Sequence, residues 1–438
     1  MSNTYQKNRR HAQPDRQPDE VAVPEQVIVS MAEIAESAKE GLLALAVGTG
    51  LQVMAAMFAE DAARLCGPEG RHNPDRAGYR HGSEAGSVTL GGRRVAVTRP
   101  RVRAADGSSE LHLPSYDLFS STEMLGQMAM EKMLAGLSSR RYDAGLEPAG
   151  QAVEEAAAAT SKSAVSRRFV AATETALAEL MSRRLDDLDL VALMIDGVHF
   201  GEHTCVVALG IGIDGTKHPL AVEEGSTENA TLATDLVTGL RDRGLDVTRP
   251  ILAVLDGAKA LTRAVKDVFD KPLIQRCQQH KIKNVRDKLP ERLRAVAERR
   301  MRQAYHAESA LKAEGLLTEL AAELDKTHPG AAASLREGMA ETLTILRLGV
   351  PPTLARTLRS TNPIESMIEI CREHSKNVKR WRDGTMALRW CAAGMPEADH
   401  QFRRVNGHLH LPKLRTALGA SFTENVSPVS QNEGQKVA

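Results

Sequence analysis

The stretch LVALMIDG, residues 190–197, decides the fold: an unbroken apolar run is closed by Asp196-Gly197. A second stretch, ILAVLDG at residues 251–257, repeats the pattern and ends in Asp256-Gly257. Short apolar runs bounded by turn residues are typical of strands buried on both faces of a sheet. We therefore predict two interior strands, each with a carboxylate directly after its apolar run.

The segments around these two strands predict the rest of an α/β unit. Residues 205–213 and 217–223 flank Asp214-Gly215, a dipeptide typical of hairpin turns. A helix is expected near 229–243, and a short strand near 273–277 follows another helix. The order of three antiparallel strands, then helix, strand, helix and strand, indicates a mixed sheet with helices on it.

A long helical segment interrupts this unit. Between residues 280 and 356 the sequence is charged and rich in Ala and Leu, with breaks at Pro290 and Pro329-Gly330. We interpret it as an α-helical insertion before the last helix of the α/β unit. That helix should start near Asn362, with Pro363 in its first turn.

The chain of 438 residues is too long for one ordinary core. We predict a mostly helical N-terminal region before the α/β unit and polar, disordered tails at both ends. The expected segments are 1–26 (disordered tail), 27–186 (N-terminal region with a basic β-ribbon), 187–285 (first part of the core), 286–356 (helical insertion), 357–420 (last core helix and basic C-terminal helices) and 421–438 (disordered tail).

Composition gives few functional constraints. Lys and Arg number 57 and Asp and Glu 56, so the net charge does not indicate nucleic-acid binding. Evidence for such binding must come from local clusters of basic residues. The five cysteines are scattered, which is typical of a reducing compartment rather than of a disulfide framework. We find no signal-like apolar segment and no run approaching membrane-spanning length, so a soluble protein with no membrane partner is expected.

Three acidic residues are the candidate catalytic and metal-binding groups. Asp196 and Asp256 end neighbouring strands, and Glu365 lies one turn into the predicted helix at Asn362. Converging carboxylates suit Mg²⁺, which prefers oxygen ligands and promotes displacement at phosphodiesters. Taken singly, Asp before Gly at a strand end is more often a turn former. The order of the three acids favours the metal-binding interpretation.

A second cluster, QRCQQHK at residues 275–281, contains Cys277 and His280 in a Cys-x-x-His spacing. Half of a zinc site has this spacing, but a second pair at suitable spacing is missing. A structural role at a strand end, or support for Asp256, fits better. The neighbouring bases Lys281 and Lys283 would suit phosphate contact.

Three further groups of residues are candidates for DNA contact. Residues 158–169 have the small residues and hydroxyls of a turn that opens a recognition helix, although a plain amphipathic helix has the same pattern. A basic β-ribbon begins at residue 93, and cations follow Glu365 on one helix face, where a solvated basic face is the alternative. The candidates are Lys162, Ser163, Ser166, Arg167, Arg168, Arg93, Arg94, Arg372, Lys376, Lys379 and Arg380.

With these residues in view, the chain resembles bacterial transposases of the Mutator-like family. The resemblance covers about residues 187–414, and upstream it is looser, resting on Gly78-Tyr79-Arg80 and the arginines of the ribbon. The matching motifs are Asp196-Gly197-Val198, LDG at 255–257, QRCxxHK at 275–281, STNPIE at 360–365, Arg372, GSTEN at 225–229 and KRWR at 379–382.

The resemblance implies an RNase-H-like core with a helical insertion, preceded by a mostly helical DNA-binding region. It implies that Asp196, Asp256 and Glu365 bind Mg²⁺, for which Mn²⁺ can substitute, with Cys277, His280 and Asn362 in support. The implied partners are the terminal inverted repeats of the element and target DNA, bound by a homodimer or larger assembly in the bacterial cytoplasm, at the nucleoid. The implied reaction is cleavage followed by attack of the 3′-OH on target DNA.

Two other functions remain open from the sequence. A DNA-binding protein derived from a transposase would use the core as a scaffold only, and a metal-dependent nuclease would cut without joining. Three intact acids argue against the scaffold, because uncompensated buried anions are costly to keep together. The candidate DNA-binding helices favour a protein that holds specific DNA ends over a simple nuclease.

Overall fold

The computed structural model describes residues 41–423, except 69 and 72. Most of both predicted tails, and the start of the helix expected from residue 27, therefore lie outside the described residues. By internal contacts the chain divides into two units. Unit 1 comprises the described residues up to 129 together with 139–168, and unit 2 comprises 130–138 together with 169–423.

Unit 1 is built on an antiparallel ribbon whose first two strands are long. Gly91 and Gly92 connect them, both with positive φ (55° and 81°), as a two-residue hairpin turn requires. This confirms the β-ribbon expected here. The elements are α1 (Leu42–Cys66), β1 (Gly78–Leu90), β2 (Arg93–Ala104), β3 (Glu110–Leu111), α2 (Pro114–Ser120), α3 (Glu123–Leu134, whose end belongs to unit 2) and α4 (Gln151–Ala156).

Helix α1 corrects one expectation from the sequence. By length and composition it could cross a membrane, whereas we expected no apolar run of that size. One face of α1 packs in the core of unit 1, where Phe58 and Ala62 are fully buried beside Val88 and Val102 of the ribbon. A helix that packs in a protein core passes the same test of length and composition, so the test alone does not indicate a membrane.

Unit 2 contains a five-stranded sheet in the order β6-β5-β4-β7-β8. Strands β4, β5 and β6 are antiparallel, and β7 and β8 run parallel to β4. The α/β fold with a mixed sheet is thus confirmed. The elements are α5 (Lys162–Ser182, which starts in unit 1), β4 (Leu190–Phe200), β5 (His203–Gly212), β6 (Lys217–Glu224), α6 (Ala230–Asp242), β7 (Ile251–Leu255), α7 (Lys259–Val268) and β8 (Pro272–Arg276).

Helices cover both faces of this sheet. Leu193 and Ile195 of β4 pack with the buried faces of α6 and α7. Met194 and Val198 face the other way and pack with the C-terminal helices. Because successive side chains of a strand point to opposite faces, the apolar run of β4 contributes to both cores.

The segment after β8 is helical, as predicted, and has a core of its own that includes Met301 and Leu317. The buried amide of Gln275 ties it to the sheet: Nε2 donates to the carbonyl of Thr342 (3.0 Å), and Oε1 accepts from Ile345 N–H (2.8 Å). Its helices are α8 (Gln278–Arg286), α9 (Glu291–Tyr305), α10 (Ala310–Asp325), α11 (Pro329–Arg336), α12 (Met339–Thr342), α13 (Thr344–Arg347) and α14 (Pro352–Leu358).

Three helices close unit 2: α15 (Asn362–Ser375), α16 (Gly384–Gln401) and α17 (Leu411–Thr423). The predicted start at Asn362 with Pro363 in the first turn is confirmed. The single basic face expected from Glu365 to Lys379 is wrong in its last part, because α15 ends at Ser375. Trp381 anchors the chain after α15 by packing against Phe200, with ring centroids 5.0 Å apart.

Candidate active site

Asp196 and Asp256 lie side by side at one end of the sheet. Ile195 of β4 pairs with Leu255 of β7 in parallel register, so the residues that follow each of them are neighbours. This placement follows from the sequence, since parallel strands present their carboxyl ends at the same edge. Asp196 is still within β4, whereas Asp256 begins the loop to α7.

Each aspartate accepts a hydrogen bond from the backbone that follows it, but the turn expected after Asp-Gly is found at Asp256 and not at Asp196, since β4 continues to Phe200. Asp196 Oδ1 accepts from Gly197 N–H (2.8 Å), and Asp256 Oδ1 accepts from Ala258 N–H (2.8 Å). Gly257 is needed for two reasons: its φ is +111°, and a Cβ there would lie 2.3 Å from Arg276 Nε. The backbone contacts orient the carboxylates and do not compensate a full charge.

Glu365 reaches the site from the first turn of α15. The hydroxyl of Thr361, fully buried, donates to Glu365 Oε1 over 2.6 Å. The same hydroxyl lies 3.4 Å from Cys277 Sγ and 3.4 Å from His280 Nδ1. Thr361 therefore links the helix that carries Glu365 to the Cys-x-x-His segment, a role that the sequence analysis missed.

Cys277 and His280 belong to the same site as Glu365. Cys277 is the N-cap of α8, where its sulfur accepts from His280 N–H (3.5 Å), and its own N–H donates to the carbonyl of Leu255. His280 Nδ1 lies 4.0 Å from Glu365 Oε1. One ligand atom each from Cys277, His280 and Glu365 can be chosen so that all lie within 4.8 Å of one another. Glu365, on a helix distant in the sequence, is thus a third member of this group, which the Cys-x-x-His spacing alone does not indicate.

The electrostatics of the site indicate uncompensated negative charge. The pKa of Asp196 is raised to about 6, mainly by burial and in smaller part by the charges of Asp256 and Glu365, whereas the Gly197 N–H and His280 oppose the rise. The pKa of His280 is raised to about 9 by its hydrogen bond to Cys277, against the effect of burial, and Asp196 and Glu365 add to the rise. The three acids thus lie close enough to act on one another.

The residues present fit a divalent cation. Carboxylate oxygens are the ligands that Mg²⁺ and Mn²⁺ take, and a cation would offset the burial and the neighbouring negative charges that together raise the pKa of Asp196. Asp196 and Asp256 are not in the tight set that joins Glu365 to Cys277 and His280. Glu365 therefore belongs both to this set and to the three acids predicted as metal ligands.

The residues predicted to open a recognition helix begin a helix as expected. Helix α5 starts at Lys162, preceded by Ser161, whose hydroxyl accepts from Ala164 N–H (3.4 Å). Exposed side chains lie at Lys162, Ser163, Ser166 and Arg167. Arg168 differs, since its guanidinium is half-buried and donates to the carbonyl of Ala159 (2.6 Å). DNA contact by these residues stays a prediction.

Three predicted DNA contacts conflict with the positions of their side chains. Lys281 is fully buried, and its Nζ donates to the carbonyls of Ser334 and Glu337. Arg93 is buried, and its Nη2 donates to the carbonyl of Glu147 (2.9 Å). Arg94 is held inside the ribbon by bonds to the backbone of Ser87 and Ser120 and to nearby hydroxyls. All three cations stabilise the fold rather than face a ligand.

The other predicted cations are exposed: Lys283, Arg372, Lys376, Lys379 and Arg380. Lys376 forms a 2.8 Å ion pair with Glu373, so part of its charge is already compensated. Asn362, expected to support catalysis, is exposed at the start of α15. These residues can reach a partner without rearrangement of the fold.

Comparisons with known proteins identify the family of the chain. The model of the Mutator family of transposases matches residues 23–405. The transposase of insertion sequence element IS6120 from Mycolicibacterium smegmatis is 31% identical over 268 residues, 58% of this chain and 81% of the relative. The transposase of insertion sequence element ISRM5 from Rhizobium meliloti is 25% identical over 362 residues, 82% of this chain and 88% of the relative. The chain belongs to the Mutator family of transposases.

Proposed function

We propose that this chain is an Asp-Asp-Glu transposase that cleaves DNA at the ends of its own mobile element and joins the freed 3′-OH to target DNA. The observation that carries the proposal is that Asp196 and Asp256 directly follow Ile195 and Leu255, which pair in parallel register, with Glu365 close enough to Asp196 to affect its pKa. Family membership supports a transposition reaction, and the names of the relatives support an insertion sequence as its substrate.

The sheet supports an RNase-H-like core for this activity. Its order places the first acid on the central strand β4 and the second after the parallel strand β7. The third acid comes from α15, after a helical segment with its own core. These are the features that the resemblance implied: two strand-end acids, an insertion, and a glutamate on the helix that follows.

In the proposed mechanism Asp196, Asp256 and Glu365 would hold Mg²⁺ or Mn²⁺. When bound, such ions activate the attacking oxygen and stabilise the leaving oxygen of a phosphodiester. The Gly197 and Ala258 N–H groups orient the two aspartates. Thr361 orients Glu365, and His280 in its protonated form places a positive charge beside the acids.

The proposed partners are the terminal inverted repeats of the element and a target duplex. Since joining uses two element ends, we propose that at least two copies of the chain act together on DNA. In unit 1, the exposed residues Lys162 and Arg167 at the start of α5 are the candidates for contacting the DNA of the terminal repeats.

The test is a cleavage and joining assay on a duplex that carries the sequences flanking the gene, with Mg²⁺ or Mn²⁺. Asp256→Asn should reduce cleavage by at least about 100-fold, the usual cost of one lost transition-state contact. The matched control is Asp246→Asn, which alters an aspartate in the turn before the opposite end of β7 and should keep wild-type activity.

Each other outcome contradicts a specific part of the proposal. Full activity in Asp256→Asn would remove this residue from the catalytic site. Binding of DNA by wild type without any strand breakage would indicate a DNA-binding scaffold. Cleavage without joining would indicate a nuclease.

A further inference from the structure

An open groove of about 440 Å³ lies in unit 2 beside the first turn of α15. Helix α14 provides one wall through Arg356, and α15 provides another through Asn362 and Ser366. The loop after α16 provides Arg403 and Arg404. Glu365 directly precedes Ser366, so the groove adjoins the proposed catalytic site.

Close packing fixes the loop that forms this groove. Gly407 has a φ of +80°, and a Cβ there would lie 2.6 Å from the backbone nitrogen of Leu354 in α14. Thr357 donates to the carbonyl of Asn406 (3.2 Å), and Val405 N–H donates to the carbonyl of Gly215 (3.0 Å). The shape of the groove is therefore set by the fold.

The lining of the groove is strongly basic. It contains Lys217, Arg356, Arg403 and Arg404 and no carboxylate. Lys217 lies over the ring of Phe402, 4.5 Å from its centroid, and burial lowers its pKa. The three arginines are exposed and form no salt bridge with any residue that the structure describes. The pKa of Asp214 is lowered mainly by hydrogen bonds from Thr216, and the charge of Arg404 lowers it further at longer range.

The basic surface continues past Arg356. On its other side a second pocket is lined by Arg356, Arg359 and His306, with Glu308 as its acid. The Arg359 guanidinium lies 2.8 Å from His306 Nε2, and its pKa is lowered by burial and by the charge of Arg356. Cations so close together, without enough acids to compensate them, suit a ligand that carries repeated negative charge.

We propose that the groove of Lys217, Arg356, Arg403 and Arg404 binds the phosphate backbone of DNA next to the phosphodiester that is cleaved. This inference rests on the proposed function, since it takes the acids beside α15 as the cleavage site. The inference adds the position of the DNA: the groove holds the DNA strand against the first turn of α15. None of the three arginines was recognised as a candidate from the sequence.

The test measures how DNA binding depends on salt, by fluorescence anisotropy of a labelled duplex that carries the element end. For the full-length triple variant Arg356→Gln, Arg403→Gln, Arg404→Gln, the slope of log K against log salt should become shallower by about 2–3, because each phosphate contact contributes about 0.9. The matched control is Arg263→Gln, Lys266→Gln, Lys271→Gln on and after α7, a helix that packs on the opposite face of the sheet. Its slope should match that of wild type.

A second measurement locates the contact. Neutral methylphosphonates placed beside the cleaved bond should weaken binding by wild type and should not weaken binding by the triple variant further. Equal slopes for the triple variant and wild type would overturn the groove assignment and leave the proposed function standing. Absence of DNA binding by wild type would overturn the proposed function, and the groove assignment with it.

Discussion

Two clusters of charged residues in unit 2, one buried and one half-buried, differ in their partners. After β8, Lys281 is completely buried, and two backbone carbonyls accept from its ammonium group. Asp196, within β4, instead lies near Asp256 and Glu365, which raise its pKa beyond the effect of burial.

The difference shows how structural and functional charges can be told apart in this fold. Carbonyls satisfy the Lys281 charge, and the result is a fixed connection between α8 and the end of α11. The charge of Asp196 is left to be compensated by a ligand, apart from the Gly197 N–H and His280. We expect the first cluster to determine stability and the second to cost stability while providing catalysis.

The largest effect on stability is expected from Lys281→Ala. It should lower the free energy of unfolding by about 2–4 kcal/mol, because it creates a cavity, removes the lysine donor to the buried Ser334 carbonyl and leaves the Glu337 carbonyl with Arg276 as its side-chain donor. Chemical denaturation checks this, with Lys283→Ala, an exposed neighbour on α8, as the matched control. Equal stability of both variants would mean that the buried ammonium does not hold the helical segment.

Asp196→Asn is expected to raise the free energy of unfolding in metal-free buffer, opposite to the effect of Lys281→Ala. Because the pKa of Asp196 rises from 3.8 to about 6 on folding, the folded state binds more protons between these values. Wild-type stability should fall as pH rises from about 4 to 6, and the variant should lack that loss. Above pH 6 the variant should be more stable by about 1–2 kcal/mol, allowing for solvent screening. A destabilised variant would show that the Asp196 charge already has a partner.

A smaller effect is expected from Thr361→Val, which removes the hydroxyl that donates to Glu365. The metal concentration for half-maximal cleavage should rise about tenfold, the equivalent of one hydrogen bond to a charged group. Thr361→Ser keeps the hydroxyl and should restore the wild-type value. If valine and serine behave alike, Thr361 only fills space beneath α15.

The sequence was sufficient to predict the elements near the acids. The apolar runs before Asp196 and Asp256 indicated neighbouring interior strands, and Pro363 marked the start of α15. Local pattern could not reveal contacts between distant segments. Nothing in residues 275–281 shows that Lys281 is buried under α11, or that Thr361 meets Cys277 across 84 positions.

The same limit explains the basic residues. Arg93 and Arg94 looked like a DNA-binding ribbon, but their partners come from distant segments at Glu147 and Ser120. Arg356 lies far from the Arg403-Arg404 pair in the sequence, and they meet because the loop at Gly407 packs against α14. Whether a cation is available to a ligand depends on tertiary contacts that local charge patterns do not encode.

The most direct measurement is the thermal unfolding of wild type and of Asp196→Asn, Glu365→Gln, each with EDTA and with increasing Mn²⁺. Mn²⁺ should stabilise wild type by about 2.7 kcal/mol at a hundredfold excess over Kd and leave the double variant unchanged. Cys277→Ser should keep the response if the carboxylates are the ligands. Equal stabilisation of wild type and the double variant would contradict the claim that these acids form the metal site.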